Sequence, residues 1–277
     1  MKKRYMVFDI AMCHDCNNCF MACKDEHVGN DWPGYTAAQP RHGHRWMNIE
    51  RRERGVYARN DVAYLPMPCQ HCQDAHCKKA APEAVTIRPD GTVLIDAEKA
   101  KGNKALVASC PFGAIYWNEE LNVGQKCTMC AHLLDDKEGW KPGLPRCVHS
   151  CPTGAMEFYE MEPEEFEKMA KEQGLAGYRS DELKNQPQIR YKNLCKYTKN
   201  FVSAGVLVNG DCYENATVTL KSNAGAVATQ KTNFFGEFKF DGLENGEYTV
   251  DVDAAGKTAS SKAAIDGKSL NLGFINL

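Results

Sequence analysis

The stretch CHDCNNCFMAC, residues 13–23, restricts what this chain can fold into more than any other part of it. Cys13, Cys16, Cys19 and Cys23 stand in the spacing C-x2-C-x2-C-x3-C, the spacing of a loop that holds a 4Fe-4S cube. Three closely spaced thiolates on one short loop reach three irons of a cube, and the same loop cannot come round to the fourth. The cysteine that follows three residues later leaves the loop and serves a different cluster. Such a run therefore requires a second group elsewhere that returns a cysteine to it.

Cys127 and Cys130 in KCTMC, followed after a 16-residue insertion by Cys147 and Cys151 in PRCVHSCPTGA, supply that group. The insertion lengthens a loop without removing a ligand, and loop-closure cost grows slowly with length. Crosswise pairing predicts one cluster on Cys13, Cys16, Cys19 and Cys151 and a second on Cys23, Cys127, Cys130 and Cys147. A middle triplet follows the same logic: Cys69, Cys72 and Cys77 in PCQHCQDAHCKKAAPEAV. At its crossing position stands Ala81, followed by the expected Pro82. The mirror image is Cys110 with Pro111 in ALVASCPFGAIYW, where the triplet positions hold Ala100, Asn103 and Leu106. One whole ligand set is missing together, and Cys69, Cys72, Cys77 and Cys110 make a complete third set. Zinc also takes C-x2-C pairs, but it has no use for triplets that exchange a fourth cysteine. Three cubes predict about twelve irons per chain. Of the fourteen cysteines, Cys195 and Cys212 remain outside any motif and are expected to be buried, inert thiols.

A disulfide framework would suit a small secreted domain, whereas this chain has 277 residues, 43% of them apolar, enough to build ordinary cores. Its formal charge of -2 offers no field for nucleic acid and no polybasic footprint for a membrane. The busiest basic segment, RHGHRWMNIERRERGVYAR (residues 41–59), is interleaved with Glu50 and Glu53 and reads as a solvated or subunit-contacting face. No run approaches the roughly 18 apolar residues of a membrane span. The opening MKKRYMVFDIAMCHDC is broken by Asp9 and meets a cysteine too soon for a signal peptide. The expected location is the cytoplasm.

The fold class expected is α+β: ferredoxin-like 4Fe-4S domains followed by an all-β sandwich of the prealbumin or immunoglobulin kind. Residues 1–64 and 119–200 would form a ferredoxin-like domain with two clusters, and residues 65–118 an inserted one with a single cluster. YMVFDI, GTVLIDAEKA and AMEFYEM read as short strands or strand-to-helix turns beside the cysteine loops. EPEEFEKMAKEQG (residues 162–174) reads as an amphipathic helix stopped by Gly174. His27, His42 and His44 lie in what looks like an insertion and are expected to be hydrogen-bonding or interface residues rather than ligands. From 201 to 277 the pattern changes to short alternating strands with Asn-Gly and Gly-rich turns, such as ATVTLKS, GEFKFDGL and GEYTVDVDAAG. Seven or so strands in this length fit a β-sandwich. With no polar constellation in it, a structural part, packing or clasping a partner subunit, is expected rather than a binding module.

The order CHDCNNC, CQHCQDAHC, SCPFGAIYW and KCTMCAHLL...PRCVHSCPTGAM resembles the iron-sulfur electron-transfer subunits of the molybdopterin oxidoreductases related to dimethyl sulfoxide reductase. Members usually hold four clusters in two ferredoxin-like pairs, and this sequence departs from them at Ala81 and the missing triplet. DEHVGNDWPGYTAAQPRHGHRWMNIERRERG, KCTMCAHLLDD and TNFFGEFKFDGLENGEYTV are similar to the small subunits of the transhydroxylase branch. That resemblance implies a non-catalytic subunit beside a large catalytic partner that holds molybdenum bis-molybdopterin guanine dinucleotide and moves a hydroxyl between polyphenols. The rival within the family is the electron-input subunit of a net reductase acting on catechols, arsenate or a sulfur compound. A free-standing polyferredoxin is the rival from another class.

Overall fold

The segment KRYMVFD forms the first strand, and the unbroken burial of its five central residues marks it as a central one. The computed structural model describes residues 1–57 and 59–277, which separate into two units, residues 1–50 with 64–194 and residues 51–63 with 195–277. Strands are β1 (Lys3–Asp9), β2 (Met47–Val56), β3 (Arg59–Pro68), β4 (Val85–Ile87), β5 (Val93–Ile95), β6 (Tyr116–Asn118), β7 (Val123–Gln125), β8 (Met156–Met161) and β9 (Ile189–Lys192). In the first unit β1 is flanked by β8, antiparallel, and β9, parallel. Burial on both faces explains its apolar centre, Tyr5 to Phe8. The helix Pro163–Glu172 follows the predicted spacing: Phe166 and Ala170 are buried, and Gly174 at φ 64° ends the run. Tyr5 of β1 stacks on Phe166 with ring centroids 3.6 Å apart.

Two small antiparallel pairs, β4 with β5 and β6 with β7, carry the middle of this unit. They enclose one apolar core in which Val85, Val93, Leu106, Ile115 and Val123 meet Ala81 and Ala100. Three of the four positions of the missing ligand set are therefore interior packing, and Leu106 and Ala100 are fully buried.

The second unit contains the outer part of the β2–β3 hairpin and eight strands: β10 (Asn200–Val208), β11 (Asp211–Cys212), β12 (Thr217–Ser222), β13 (Gly225–Lys231), β14 (Glu237–Leu243), β15 (Gly246–Ala254), β16 (Lys257–Ile265) and β17 (Leu270–Asn276). β10 pairs with β11, β14 and β17, and a second sheet runs β13-β12-β15-β16. Val202, Ala204 and Val206 of β10, Phe238 and Phe240 of β14, and Val218, Leu220, Val250 and Val252 of the second sheet share one core. β13 (GAVATQK) and β16 (KTASSKAAI) are edge strands. An edge strand buries little, so their small and polar side chains carry no strong alternation to read.

Within the basic segment, expected to be a solvated or subunit-contacting face, Arg51 and Glu53 are exposed but Arg54 turns inward. Arg54 is buried, its side chain 1% exposed, and donates to Asp241 and Asp61 at 2.7 and 2.5 Å. Arg52 donates to the carbonyls of Tyr197 and Lys199 at 2.5 and 3.0 Å. Gly55 permits this hairpin: at φ 96° a side chain is strained, and a Cβ would sit 2.2 Å from the Arg59 carbonyl oxygen and 3.0 Å from the Phe201 ring. Gly55→Ala is expected to destabilise the second unit by about 1–3 kcal/mol, read as a lower urea midpoint at unchanged slope. An unchanged midpoint would show that the hairpin tolerates the clash.

Candidate metal centres

The first cysteine loop turns through two left-handed residues, Asp15 at φ 54° and Asn17 at φ 61°. Short polar side chains tolerate that conformation; Asn17 Nδ2 also donates to the Asp15 carbonyl at 2.8 Å. The turn gathers Cys13, Cys16 and Cys19 around a cavity that Cys151 completes from the far end of the unit. Cys13 and Cys19 are buried, Cys16 is exposed and Cys151 is half-buried. Burial, with the charge of Cys13 beside it, pushes the Cys19 thiol up to about 12.

Cys23 leaves on the helix Asn18–His27 and joins a different set. Its thiol is raised by burial and then by Cys127 and Cys130, and that of Cys147 by burial and then by Cys130, Cys127 and Cys23. All four are buried. Met129 and Cys130, both left-handed at φ 57° and 50°, make the turn, and the Met129 N–H donates to Cys127 Sγ at 3.3 Å.

Cys69, Cys72, Cys77 and Cys110 line a third cavity. His71, left-handed at φ 46°, donates its N–H to Cys69 Sγ at 3.4 Å. Asn185 Nδ2 donates to Cys72 Sγ at 3.1 Å from 113 residues away. Burial pushes Cys72 to about 12, with Cys69 the next cause, and Cys77 to about 11, against the opposing charge of Lys126. The three sets are electrostatic neighbours in sequence: Cys19 acts on Cys23 and Cys147, and Cys69 acts on Cys127.

The donor chemistry fits iron-sulfur clusters. Four thiols gathered together out of water cannot all ionise unless cationic metal offsets their mutual repulsion. In the first and third sets the cysteines line cavities rather than meeting at a point. Among the described residues no three His, Cys, Asp or Glu side chains come close enough to hold a single ion. Tetrahedral zinc, with Zn–S of about 2.3 Å, would draw the sulfurs to within about 4 Å of one another.

The histidines are engaged otherwise. His27 is buried between Trp46 and His132, at centroid distances of 4.8 and 5.3 Å, and burial lowers it to about 3, so it is neutral. His44 Nε2 lies 3.0 Å from the Trp117 carbonyl oxygen, and His42 is exposed. Cys195 is half-buried, but Cys212 is exposed, contrary to the buried thiol expected there; it sits on the two-residue strand β11, too short to cover it. Asn185 and Lys126 are the functional neighbours that motif reasoning missed. Asn185 has no local signal, whereas Lys126 is a charge set in an otherwise buried strand end directly before Cys127.

Residues 60–161 match the 4Fe-4S dicluster domain family. The whole chain is 58% identical over 277 residues to the pyrogallol hydroxytransferase small subunit of Pelobacter acidigallici, covering 100% of both chains. It is 30% identical over 182 residues to the thiosulfate reductase electron transfer subunit of Salmonella typhi, covering 65% of this chain and 86% of that one. The B subunit of the anaerobic dimethyl sulfoxide reductase of Escherichia coli is 33% identical over 175 residues, covering 57% and 74%. The cysteine loops and the matched domain thus define a ferredoxin-type 4Fe-4S protein. More particularly, the chain belongs to the family of the pyrogallol hydroxytransferase small subunit, with iron-sulfur subunits of the molybdopterin reductases as relatives. No helix is long and apolar enough to cross a membrane among the described residues.

Proposed function

We propose that this chain is the electron-transfer subunit of a transhydroxylase-like heterodimer and carries three 4Fe-4S clusters. The ligands are Cys13, Cys16, Cys19 and Cys151; Cys23, Cys127, Cys130 and Cys147; and Cys69, Cys72, Cys77 and Cys110. The observation that carries the reading is the crossing: Cys151 closes the first cavity and Cys110 the third, while Cys23 lies among the sulfurs of the second set. When bound, each cluster supplies reversible one-electron redox chemistry. The protein's part is to hold the thiolates, exclude water and aim donors at sulfur, as Asn185, His71 and Met129 do; these groups set how readily each site is reduced.

The catalytic partner would be a large subunit holding molybdenum bis-molybdopterin guanine dinucleotide, and the complex would work in the cytoplasm. Hydroxyl transfer between polyphenols involves no net electron change, so in this complex the clusters held by this chain would serve only to set or poise the oxidation state of the partner's molybdenum. Residues 1–64 with 119–200 form the two-cluster ferredoxin-like domain in this reading, and residues 65–118 the one-cluster insertion. The apolar core built by residues 81–115, closed by Val123 of β7 just beyond it, supports the insertion as a folding module. Residues 201–277 form a prealbumin-like β-sandwich that packs or clasps the partner, supported by two sheets that contribute to one core.

The purified complex is expected to turn over pyrogallol without an electron donor and to contain about twelve irons per copy of this chain. Strict dependence on a reduced donor would instead make it the input subunit of a reductase. Purification without any large molybdenum-bearing chain would leave a polyferredoxin.

A further inference from the structure

Lys126 is a buried lysine, 3% exposed, at the wall of the third cavity. Its Nζ donates to the Val93 carbonyl and, at 3.1 Å, to the Cys127 carbonyl. No carboxylate pairs with it among the described residues. An ammonium buried on two neutral carbonyls is costly unless a negative group lies beside it. The groups it acts on are Cys77 and Cys110 of the third set, Cys127 of the second, and the buried His71 ring beside the third.

The first set has no equivalent among the described residues, and the second has, besides Lys126 acting on Cys127 from outside the cavity wall, no cation that is both buried and unpaired. Arg146, near Cys130, is already paired with Asp25 and Glu26 at 2.6 and 3.1 Å. Lys24, near Cys23, is half-exposed, so solvent screens it. At the first set the charged neighbour of Cys13 outside the sulfurs is Asp15, an anion.

We infer that Lys126 is a potential-setting residue that makes the Cys69, Cys72, Cys77 and Cys110 site the most easily reduced of the three, where an electron comes to rest. The inference rests on the cluster assignment proposed above. A cube held by four thiolates carries net negative charge, and one electron adds another. A fixed cation at the cavity wall therefore stabilises the reduced form more than the oxidised one. In the transfer itself, the site next to it loses one electron and this site gains one; no bond and no proton need move.

The test is a redox titration of the intact complex followed by electron paramagnetic resonance, with dithionite as reductant. The signal of the third site is the one absent from Cys110→Ala. In the wild type that signal is expected at the most positive midpoint. Lys126→Gln, which keeps a donor but removes the charge, should make it at least tenfold harder to reduce, a shift of about 59 mV or more to the negative side, while Lys126→Arg restores it. A wild-type ranking in which this site is not the most positive overturns the inference even if Lys126→Gln assembles poorly. So do midpoints that do not move in a fully loaded Lys126→Gln complex. A wild-type complex without iron would instead overturn the cluster assignment underneath it.

Discussion

Cys110→Ala is expected to lower the iron content from about twelve to about eight atoms per chain, with the signals of the other two clusters retained. Among the described residues Cys110 is the only sulfur that reaches the third cavity from outside the Cys69–Cys77 loop, and three thiolates leave one iron of a cube without a protein ligand. The first and second sets draw on none of these four residues, so their iron should be untouched. Ala81→Cys provides the opposite control. The other three positions of that set hold Ala100, Asn103 and Leu106, so iron should stay at about twelve. A loss of all iron in Cys110→Ala would mean that the sets do not assemble independently. A gain in Ala81→Cys would mean that the crossing logic is wrong.

The second large effect is structural. Arg54→Leu should destabilise the second unit by roughly 3 kcal/mol or more, because removing one partner of a buried ion pair strands the other. Asp241 would keep the Gly242 N–H at 2.9 Å and, as charged neighbours, Lys239 at 3.3 Å and Lys196 at 3.7 Å. The Phe201 ring would lose the guanidinium whose carbon lies 5.3 Å from its centroid. Arg54→Lys should recover little, since a single ammonium cannot fork between Asp61 and Asp241. The same pair gives a pH signature. Burial alone would push the Asp61 and Asp241 carboxyls up, but Lys239 and Arg54 hold Asp61 down and Arg54 with Lys239 holds Asp241 down, both below the usual range. Stability from a depressed carboxylate is fully present above its unfolded pKa of about 3.9 and is lost as pH falls through the lower folded value. Acid unfolding of the wild type should therefore steepen below about pH 4, and Arg54→Leu should flatten that limb. Equal acid slopes would show that the pairing contributes nothing to folding.

The grouping of the cysteines was legible because such spacing is written locally: triplets on one loop, and a crossing cysteine followed by proline at Cys110 and Cys151. What surrounds them was not legible. Asn185 reaches Cys72 across 113 residues, and no spacing announces such a contact. Arg54 looked like one charge in a polar run, yet its partner Asp241 lies 187 residues on. The edge strands β13 and β16 escaped notice because their hydrogen bonds lie on one side and their side chains have little to bury. The helix at 163–172 was readable for the converse reason: a proline start, a buried Phe166 and Ala170 one turn apart, and a glycine stop are all local.

The packing at Ala81, Ala100 and Leu106 also sets what it would cost to build a fourth ligand set, one residue at a time. Those side chains close an apolar core with Val85, Ile115 and Val123, and Gly124 leaves them room: a Cβ there would stand 3.3 Å from Ile115 and 3.6 Å from Leu106. A cysteine regained at any one of these sites would loosen or polarise that core and bind nothing, because the remaining ligands would still be missing. Selection would meet a loss at each intermediate step and a gain only at the last. The core thus acts as a ratchet tooth against a fourth site.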